Sequence, residues 1–298
     1  MKIQYLQYAL EIAECGSINK AADKLQLSQP NISSILKTLE NELEFPVFSR
    51  TSQGVAVTPE GQHFLSCARR IIQEYEQISA IKTGGTTRRF HLSAGHHSAI
   101  EEAFSLLCAE FQDNGRMDFS IRNTDPDSII EDVYHNRSDL GILLLPRDNS
   151  DAVLSLCAKK GLVVTALREL CFNIHLRRDH PLLQDKSLNM NQLQDYPFVD
   201  YSNNVLSSSP DLNRLGIINP DKKIVVDERD TRCHIVASTD AFSIGCSLHP
   251  RIRDSYHWVC IPLPDISYRM ISVHRRNFGL TPEAKRYLQL LKQETEDI

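Results

Sequence analysis

A change of hydrophobic period near residue 83 constrains this chain more than any other feature. Before it, apolar residues recur mostly at helical spacing; after it, short apolar runs alternate with helical stripes. The junction, Lys82-Thr83-Gly84-Gly85-Thr86-Thr87, is a hinge by composition, because its glycines and threonines neither prolong a helix nor fill a core. A chain of 298 residues divided in this way favours two folding units over one. Its hydrophobic share of 41% allows each unit a core of its own.

In the first unit, Tyr5, Leu6, Tyr8, Ala9, Ile12 and Ala13 predict a helix over 3–14 that stops at Gly16. Ser17 caps a second helix with the buried stripe Ile18, Ala21, Ala22 and Leu25. Two alanines on that face let another helix axis approach closely, as a tight helix-turn-helix crossing requires. Ser28 is expected to cap a third helix, with Pro30 in the first turn, where a missing N–H costs nothing. Its inner stripe is Ile32, Ile35 or Leu36, Leu39 and Leu43. Its outward face carries Gln29, Asn31, Ser33, Ser34 and Lys37, short polar groups with one base, suited to groove edges and phosphates. Such a face could equally be a solvated helix surface; its context decides. Residues 47–57 read as strand, turn and strand, with Ser52-Gln53-Gly54 at the tip, a wing that would carry Arg50 toward a nucleic-acid backbone. An ion pair of Arg50 with Glu44 or Glu60 is the alternative.

The stretch AADKLQLSQPNISSILKTLENELEFPVFSRTSQGVAVTPEGQHFL resembles the N-terminal signature of LysR-type transcriptional regulators. The matching residues are Ala21-Ala22, Leu25, Ser28-Gln29-Pro30, Leu39-Glu40, Val47-Phe48-Ser49-Arg50 and Thr58-Pro59-Glu60-Gly61. The resemblance implies a sequence-specific DNA-binding regulator modulated by a small-molecule effector. Its DNA-reading residues would be Ser28, Gln29, Pro30, Asn31, Ser33, Ser34, Lys37, Arg50, Ser52 and Gln53. Two departures bear on affinity: Ser34 stands where the family commonly has a basic or larger residue, and Glu44 where glycine is common. Modest affinity per subunit is therefore expected, with recognition depending on paired subunits. From Thr58 onward, Phe64, Ala68, Ile71, Tyr75 and Ile78 follow 4-3-4-3 steps, the spacing of a two-helix seam. A helix packed on its own domain would show the same spacing; beside a winged helix, the seam is the expected dimerisation element.

After the hinge, Phe90–Ala94, Phe119–Thr124 and Leu140–Leu145 read as strands separated by helices at Ser98–Phe111 and Asp127–Tyr134. This alternation implies a parallel α/β sheet with ligand loops at the carboxyl ends of its strands. A second set comprises Leu170–Leu176, Pro197–Asp200, Lys223–Asp227 and Ala241–Gly245, followed by a strand at Tyr268–His274 and a helix at Pro282–Glu294. Arg178-Asp179-His180-Pro181-Leu182 and Ser138–Ile142 extend the family resemblance. It implies two lobes like those of periplasmic binding proteins. The expected organisation is a winged helix-turn-helix over 1–58, a linker helix and hinge over 59–88, and an effector domain over 89–298. Lobe I would hold 89–163 and 268–298, and lobe II 164–267. Strand ends and helix starts place His97, Ser98, Thr124, Asp125, Tyr201, Ser202, Asp230 and Thr231 around the cleft. A small polar ligand bearing a carboxylate is expected, while Asp125 and Asp230 leave room for a cationic or amphoteric one.

Other function classes have little support. The net charge is −5, and residues 1–88 hold nine bases against nine acids, so DNA contact must come from placement of bases rather than bulk charge. This disfavours a shape-only architectural DNA protein. The eight cysteines form no CxxC pair, and the eleven histidines show no HxxxH or HExxH spacing, so neither a metal nor a cofactor is expected. No cysteine falls within Tyr201–Pro210, around where the peroxide-sensing branch of the family carries two reactive cysteines. Without GxSxG, P-loop or GxGxxG, an enzyme is not expected. The opening residues lack a secretory pattern and no run of 18 apolar residues occurs, pointing to the cytoplasm and away from membranes. Expected partners are double-stranded DNA, the effector, further copies of the chain as a homodimer or homotetramer, and RNA polymerase.

Overall fold

The computed structural model describes residues 1–51, 54–82, 87–113, 115–147, 150–184, 190–201, 222–277 and 279–296. Two compact units result, one built on Met1–Arg89 and the other on most of the chain from Phe90 onward. In the first, α1 (Ile3–Cys15), α2 (Ile18–Lys24) and α3 (Gln29–Leu43) precede a two-stranded wing, β1 (Phe48–Thr51) and β2 (Gly54–Val57), and the long α4 (Pro59–Lys82). The core gathers Leu6, Ala9 and Ile12 of α1, Ala21 and Ala22 of α2, and Ile32, Leu36 and Leu39 of α3. Both alanines are buried, as close crossing of α2 requires.

Capping differs in detail from expectation. Ser17 accepts the Lys20 N–H, but Ser28 makes no side-chain cap bond. Its backbone carbonyl instead accepts the N–H groups of Asn31 and Ile32, which leaves the hydroxyl outside the cap. At the far end of α3, Glu44 adopts φ +62°, the left-handed region where glycine carries no steric penalty. The seam expected along α4 also divides. Phe64 and Ala68 are buried in the core of their own unit, with Leu65 and Ile72. Ile71, Tyr75 and Ile78 remain exposed on a different face.

The second unit begins with β3 (Thr87–Ala94), α5 (Ser98–Phe111), β4 (Arg116–Asn123), α6 (Pro126–Tyr134), β5 (Leu140–Pro146) and α7 (Asp151–Lys159). Then come β6 (Leu162–Arg177), β7 (Phe198–Tyr201), β8 (Lys223–Val226), α8 (Arg229–Ser238), β9 (Ser243–Cys246), α9 (Pro250–Ser255), β10 (Trp258–Arg275) and α10 (Pro282–Glu294). The main sheet has the order β4-β3-β5-β10-β6-β9, with β7 and β8 forming a separate parallel pair. β3 and β5 run parallel, as the alternating pattern implies, but β10 is antiparallel to both β5 and β6. The strands expected at 170–176 and 268–274 are parts of far longer ones: β6 has 16 residues and β10 has 18. They pair from Leu162↔Arg275 to Trp258↔Arg177, with an irregularity between Leu263 and Ser267. The expected lobe limits at 163/164 and 267/268 therefore lie inside continuous strands shared by both lobes. One apolar cluster runs through both, from Phe90, Leu92, Ile100 and Tyr287 to Phe172, Phe198 and Phe242, and a smaller one gathers Val199, Val236 and Trp258.

The Asp-His-Pro-Leu motif is structural. His180 is buried; its Nδ1 accepts the Leu182 N–H and its Nε2 lies 2.9 Å from the Asp240 carbonyl. One imidazole thus caps a 3-10 turn and ties it to the loop before β9.

Candidate nucleic-acid interface and effector cleft

The residues that position the reading helix are largely not those that face outward. Glu40 of α3 accepts the backbone N–H groups of Val47 and Phe48 at 2.7 and 3.1 Å, holding the wing to the helix. Thr58 donates its hydroxyl to the Pro46 carbonyl at 2.7 Å and accepts the Gly61 N–H at 3.0 Å. A Cβ on Gly61 would stand 2.1 Å from the Val47 carbonyl oxygen, so only glycine lets α4 start this close to the wing. Gly54, at φ +141°, has the Gly16 carbonyl where its Cβ would be, and Val55 donates to that carbonyl at 3.0 Å. The wing is thereby fastened to the α1–α2 turn.

On this frame, Ser28, Gln29, Pro30, Asn31, Ser34 and Lys37 are exposed and Ser33 is half-buried. Gln29 Nε2 donates to Ser33 Oγ at 2.8 Å, one helical turn away. Arg50 is exposed on β1. Among the described residues, neither Lys37 nor Arg50 has an ion-pair partner, so the alternative pairing of Arg50 with Glu44 or Glu60 does not form. Both cations keep their charge available. Ser52 and Gln53 lie outside the described residues.

In the second unit, a partly open cleft lies where the start of α5 meets α8 and β9. Of the residues expected there, His97, Ser98 and Tyr201 line it. His97 takes the N-cap position of α5: its Nδ1 accepts the Ala99 N–H at 3.2 Å. Nε2 must then carry the proton, and this buried donor has no partner at hydrogen-bond geometry. Burial brings the imidazole down to about 4, partly opposed by the Ser247 backbone and reinforced by Arg229 and His249. Ser98 Oγ accepts the His249 N–H at 2.8 Å, joining the start of α5 to the start of α9. Burial raises the Tyr201 phenol, with Arg232 opposing.

Four expected residues are placed elsewhere. Thr124 donates its hydroxyl to Asp125 at 3.2 Å, and Asp125 accepts the Ser128 N–H at 2.9 Å, so the two organise the start of α6. Burial pushes the Asp125 carboxyl up, but the bonds from Ser128 and Thr124 hold it below its ordinary value. Asp230 and Thr231 are exposed on α8 and do not line the cleft. Ser202 is outside the described residues.

The strongest electrostatic groups of the cleft are ones the sequence reading did not include. Arg229 and Arg232 stand one turn apart at the beginning of α8. Arg229 is ion-paired with Glu101 of α5 and lies 3.6 Å from Asp230. Arg232 is only 7% exposed, and its guanidinium sits 5.0 Å from the centre of the Tyr201 ring. Among the described residues, no carboxylate lies within ion-pair distance of it. His96 is brought down to about 4 by burial first, then by Arg229 and Arg232. Gly245 completes the wall: a Cβ there would come within 3.2 Å of both Arg232 Nη1 and His175 Cε1. Ile244, Cys246 and Leu248 supply an apolar side.

Residues 3–62 match the family described as bacterial regulatory helix-turn-helix protein, lysR family, and residues 83–296 match the LysR substrate binding domain. The chain belongs to the LysR family. It is 26% identical over 139 residues to the HTH-type transcriptional regulator CzcR of Bacillus cereus, covering 47% of this chain and 48% of that one. The chain thus spans about half the length of such curated relatives. To the transcriptional regulator CysB of Burkholderia cenocepacia it is 28% identical over 193 residues, 62% of this chain and 58% of CysB. The solved structure of full-length LysG from Corynebacterium glutamicum, with bound effector Arg, superposes at a TM-score of 0.63. It covers 99% of this chain and 98% of LysG at 15% identity, a likeness of fold.

Within this LysR-family chain, one signal for the missed residues was present in the sequence. Two arginines at i and i+3 in the first turns of a helix oppose the helix dipole, which favours acids there. A cation placed against the dipole needs some other stabilisation, and a bound anion is one source.

Proposed function

We propose that this protein is a sequence-specific DNA-binding transcriptional regulator whose activity is modulated by a small-molecule effector. The observation that carries the proposal is the solvent-facing start of α3, which exposes Gln29, Asn31 and Ser34, with neither Lys37 nor the wing's Arg50 ion-paired among the described residues. Short polar side chains suit base edges, and two uncompensated cations suit flanking phosphates. Family membership supports the same reading.

The assembly proposed is a homodimer through α4, doubled into a tetramer, which sets two reading helices against successive major grooves. Exposed Ile71, Tyr75 and Ile78 support this, because three large apolar side chains along one helix face are costly to leave in water. Ile78→Asp is expected to shift the sedimenting species to half its size; an unchanged species at micromolar concentration would remove α4 from the interface. The cleft is proposed to hold a carboxylate-bearing effector, whose binding alters lobe closure and so the engagement of DNA and RNA polymerase in the cytoplasm. Footprinting on the region upstream of the gene tests the central claim. A protected interrupted inverted repeat is expected, and binding that ignores sequence at moderate salt would reject it.

A further inference from the structure

The charges around the cleft go beyond a general affinity for acids, and they can be counted. Arg229 brings one positive charge, which is matched by the Glu101 carboxylate bonded to it and by the exposed Asp230 carboxylate 3.6 Å away. Arg232 brings a second positive charge with no carboxylate beside it among the described residues. The other ionisable side chains of the wall are neutral at physiological pH. His96 and His97 are brought down to about 4, burial raises the Tyr201 phenol, and burial pushes the Cys246 thiol up to about 12. Among the described residues, Arg232 is therefore the cation of this wall that no carboxylate partners, on a side chain nine-tenths buried.

A buried cation without a counter-ion is strongly destabilising, since desolvation is not repaid. Arg232 is held in place nonetheless, against the face of Tyr201, with its Nη1 toward the wall that Gly245 keeps open. A carboxylate meeting the guanidinium edge-on would restore that balance with two parallel hydrogen bonds. The buried Nε2–H of His97, which has the Ser247 backbone nearby but among the described residues makes no bond at hydrogen-bond geometry, is a second neutral donor in the same cleft. Ile244 and Leu248 offer apolar surface to the remainder of a ligand.

We infer that this cleft selects singly charged carboxylates over dicarboxylates and phosphate, with Arg232 as the anchoring residue and the Arg229–Glu101 pair as the element that withholds a second charge. The inference rests on the proposed reading of the cleft as the effector site. A dianion entering here would satisfy Arg232 with one charge and strand the other in a wall already neutral. If Glu101 loses its charge, Arg229 keeps only the solvent-exposed Asp230 beside it, and the wall gains much of a second cation. The preference should then move toward dianions.

Calorimetric titration of the full-length protein at neutral pH tests this with four probes: butyrate, its neutral analogue butyramide, succinate and inorganic phosphate. Butyrate is expected to bind at least tenfold more tightly than each of the others. Arg232→Gln should weaken butyrate at least tenfold. Glu101→Gln should raise succinate relative to butyrate by at least tenfold, a gain that a misfolded variant could not produce. The inference is overturned if the wild-type protein binds succinate or phosphate as well as butyrate, does not distinguish butyramide, or binds none of the four. It is equally overturned if folded Glu101→Gln leaves the succinate-to-butyrate ratio unchanged. Site-selective DNA binding, read by gel shift on the same wild-type preparation, separates the two ideas. Its loss would break the regulator reading, whereas a reversed probe order with DNA binding present breaks only the charge assignment.

Discussion

The reading face of α3 and the effector cleft both use arginine or lysine against an anion, but they hold these cations in opposite ways. Lys37 and Arg50 stand in water, where an unpaired charge costs little and each phosphate contact contributes little. Arg232 is withdrawn from water and stacked on Tyr201, where an unpaired charge is costly and a matching anion is strongly favoured. An exposed cation suits a partner that must be scanned and released. A buried one suits a ligand that must be recognised by charge and shape. A second contrast concerns the frame. The first unit is positioned by tight backbone approaches at Gly54 and Gly61, whereas the start of the cleft is positioned by backbone N–H groups donated to His97 Nδ1 and Ser98 Oγ.

The largest effect that would test this contrast is Gly61→Ala. Its methyl would fall 2.1 Å from the Val47 carbonyl oxygen, so backbone must move. Overpacking of this kind costs about 3 kcal/mol. DNA binding and the thermal transition of the first unit should both suffer, while butyrate binding persists; equal loss of both functions would show that the units do not respond separately. Next in size is the pH response of the cleft. An unfolded histidine takes up a proton below about 6.5, but native His97 does so only near 4. The unfolded state therefore binds more protons in that window, so stability is complete above it and falls as the pH drops through it. His97 alone accounts for on the order of 3 kcal/mol, and fully buried His175, also held well below its ordinary value by burial and Arg232, acts in the same sense. Urea unfolding of the full chain between neutral pH and pH 4 checks the slope, which His97→Asn should flatten.

Smaller changes sharpen the other side. Arg50→Ala should weaken DNA binding about tenfold for all sequences and lower the salt dependence by about one phosphate contact. A change confined to one base position would instead make Arg50 a base reader. Smallest is Glu44→Gly, which relieves left-handed backbone strain of about 1 kcal/mol and removes a negative charge beside the reading helix. Both a raised unfolding midpoint and tighter DNA binding are expected; a rise in neither would show that Glu44 is compensated by its surroundings.

Legibility differed between the two halves for a physical reason. Helix stripes, the Gly16 stop, the paired alanines and the wing are local features, written in spacings of a few residues, and the structure has them where the pattern places them. The roles of Glu40, Thr58 and Gly61 were visible only as a motif, because their partners at Pro46, Val47 and Phe48 are met through the turn. In the second unit the alternating elements were readable, but β6 and β10 were taken too short. Thr165, Arg168 and Glu169 break the apolar pattern before the stretch read for β6, and Pro262 with the irregularity between Leu263 and Ser267 breaks it before that read for β10, although the pairing continues on both sides.

The amino-acid sequence alone determined the family, the helices and wing of the first unit and the alternation that opens the second, since each depends on periodicity and short-range motif, whereas α7 and α9 were not read from it. Only the tertiary structure decided which ionisable groups share the cleft. Glu101 and Arg229 are 128 residues apart in the chain, and Arg232 finds Tyr201 from a different element. Whether a charge is compensated depends on burial and on neighbours brought together by folding, and neither is written in local spacing.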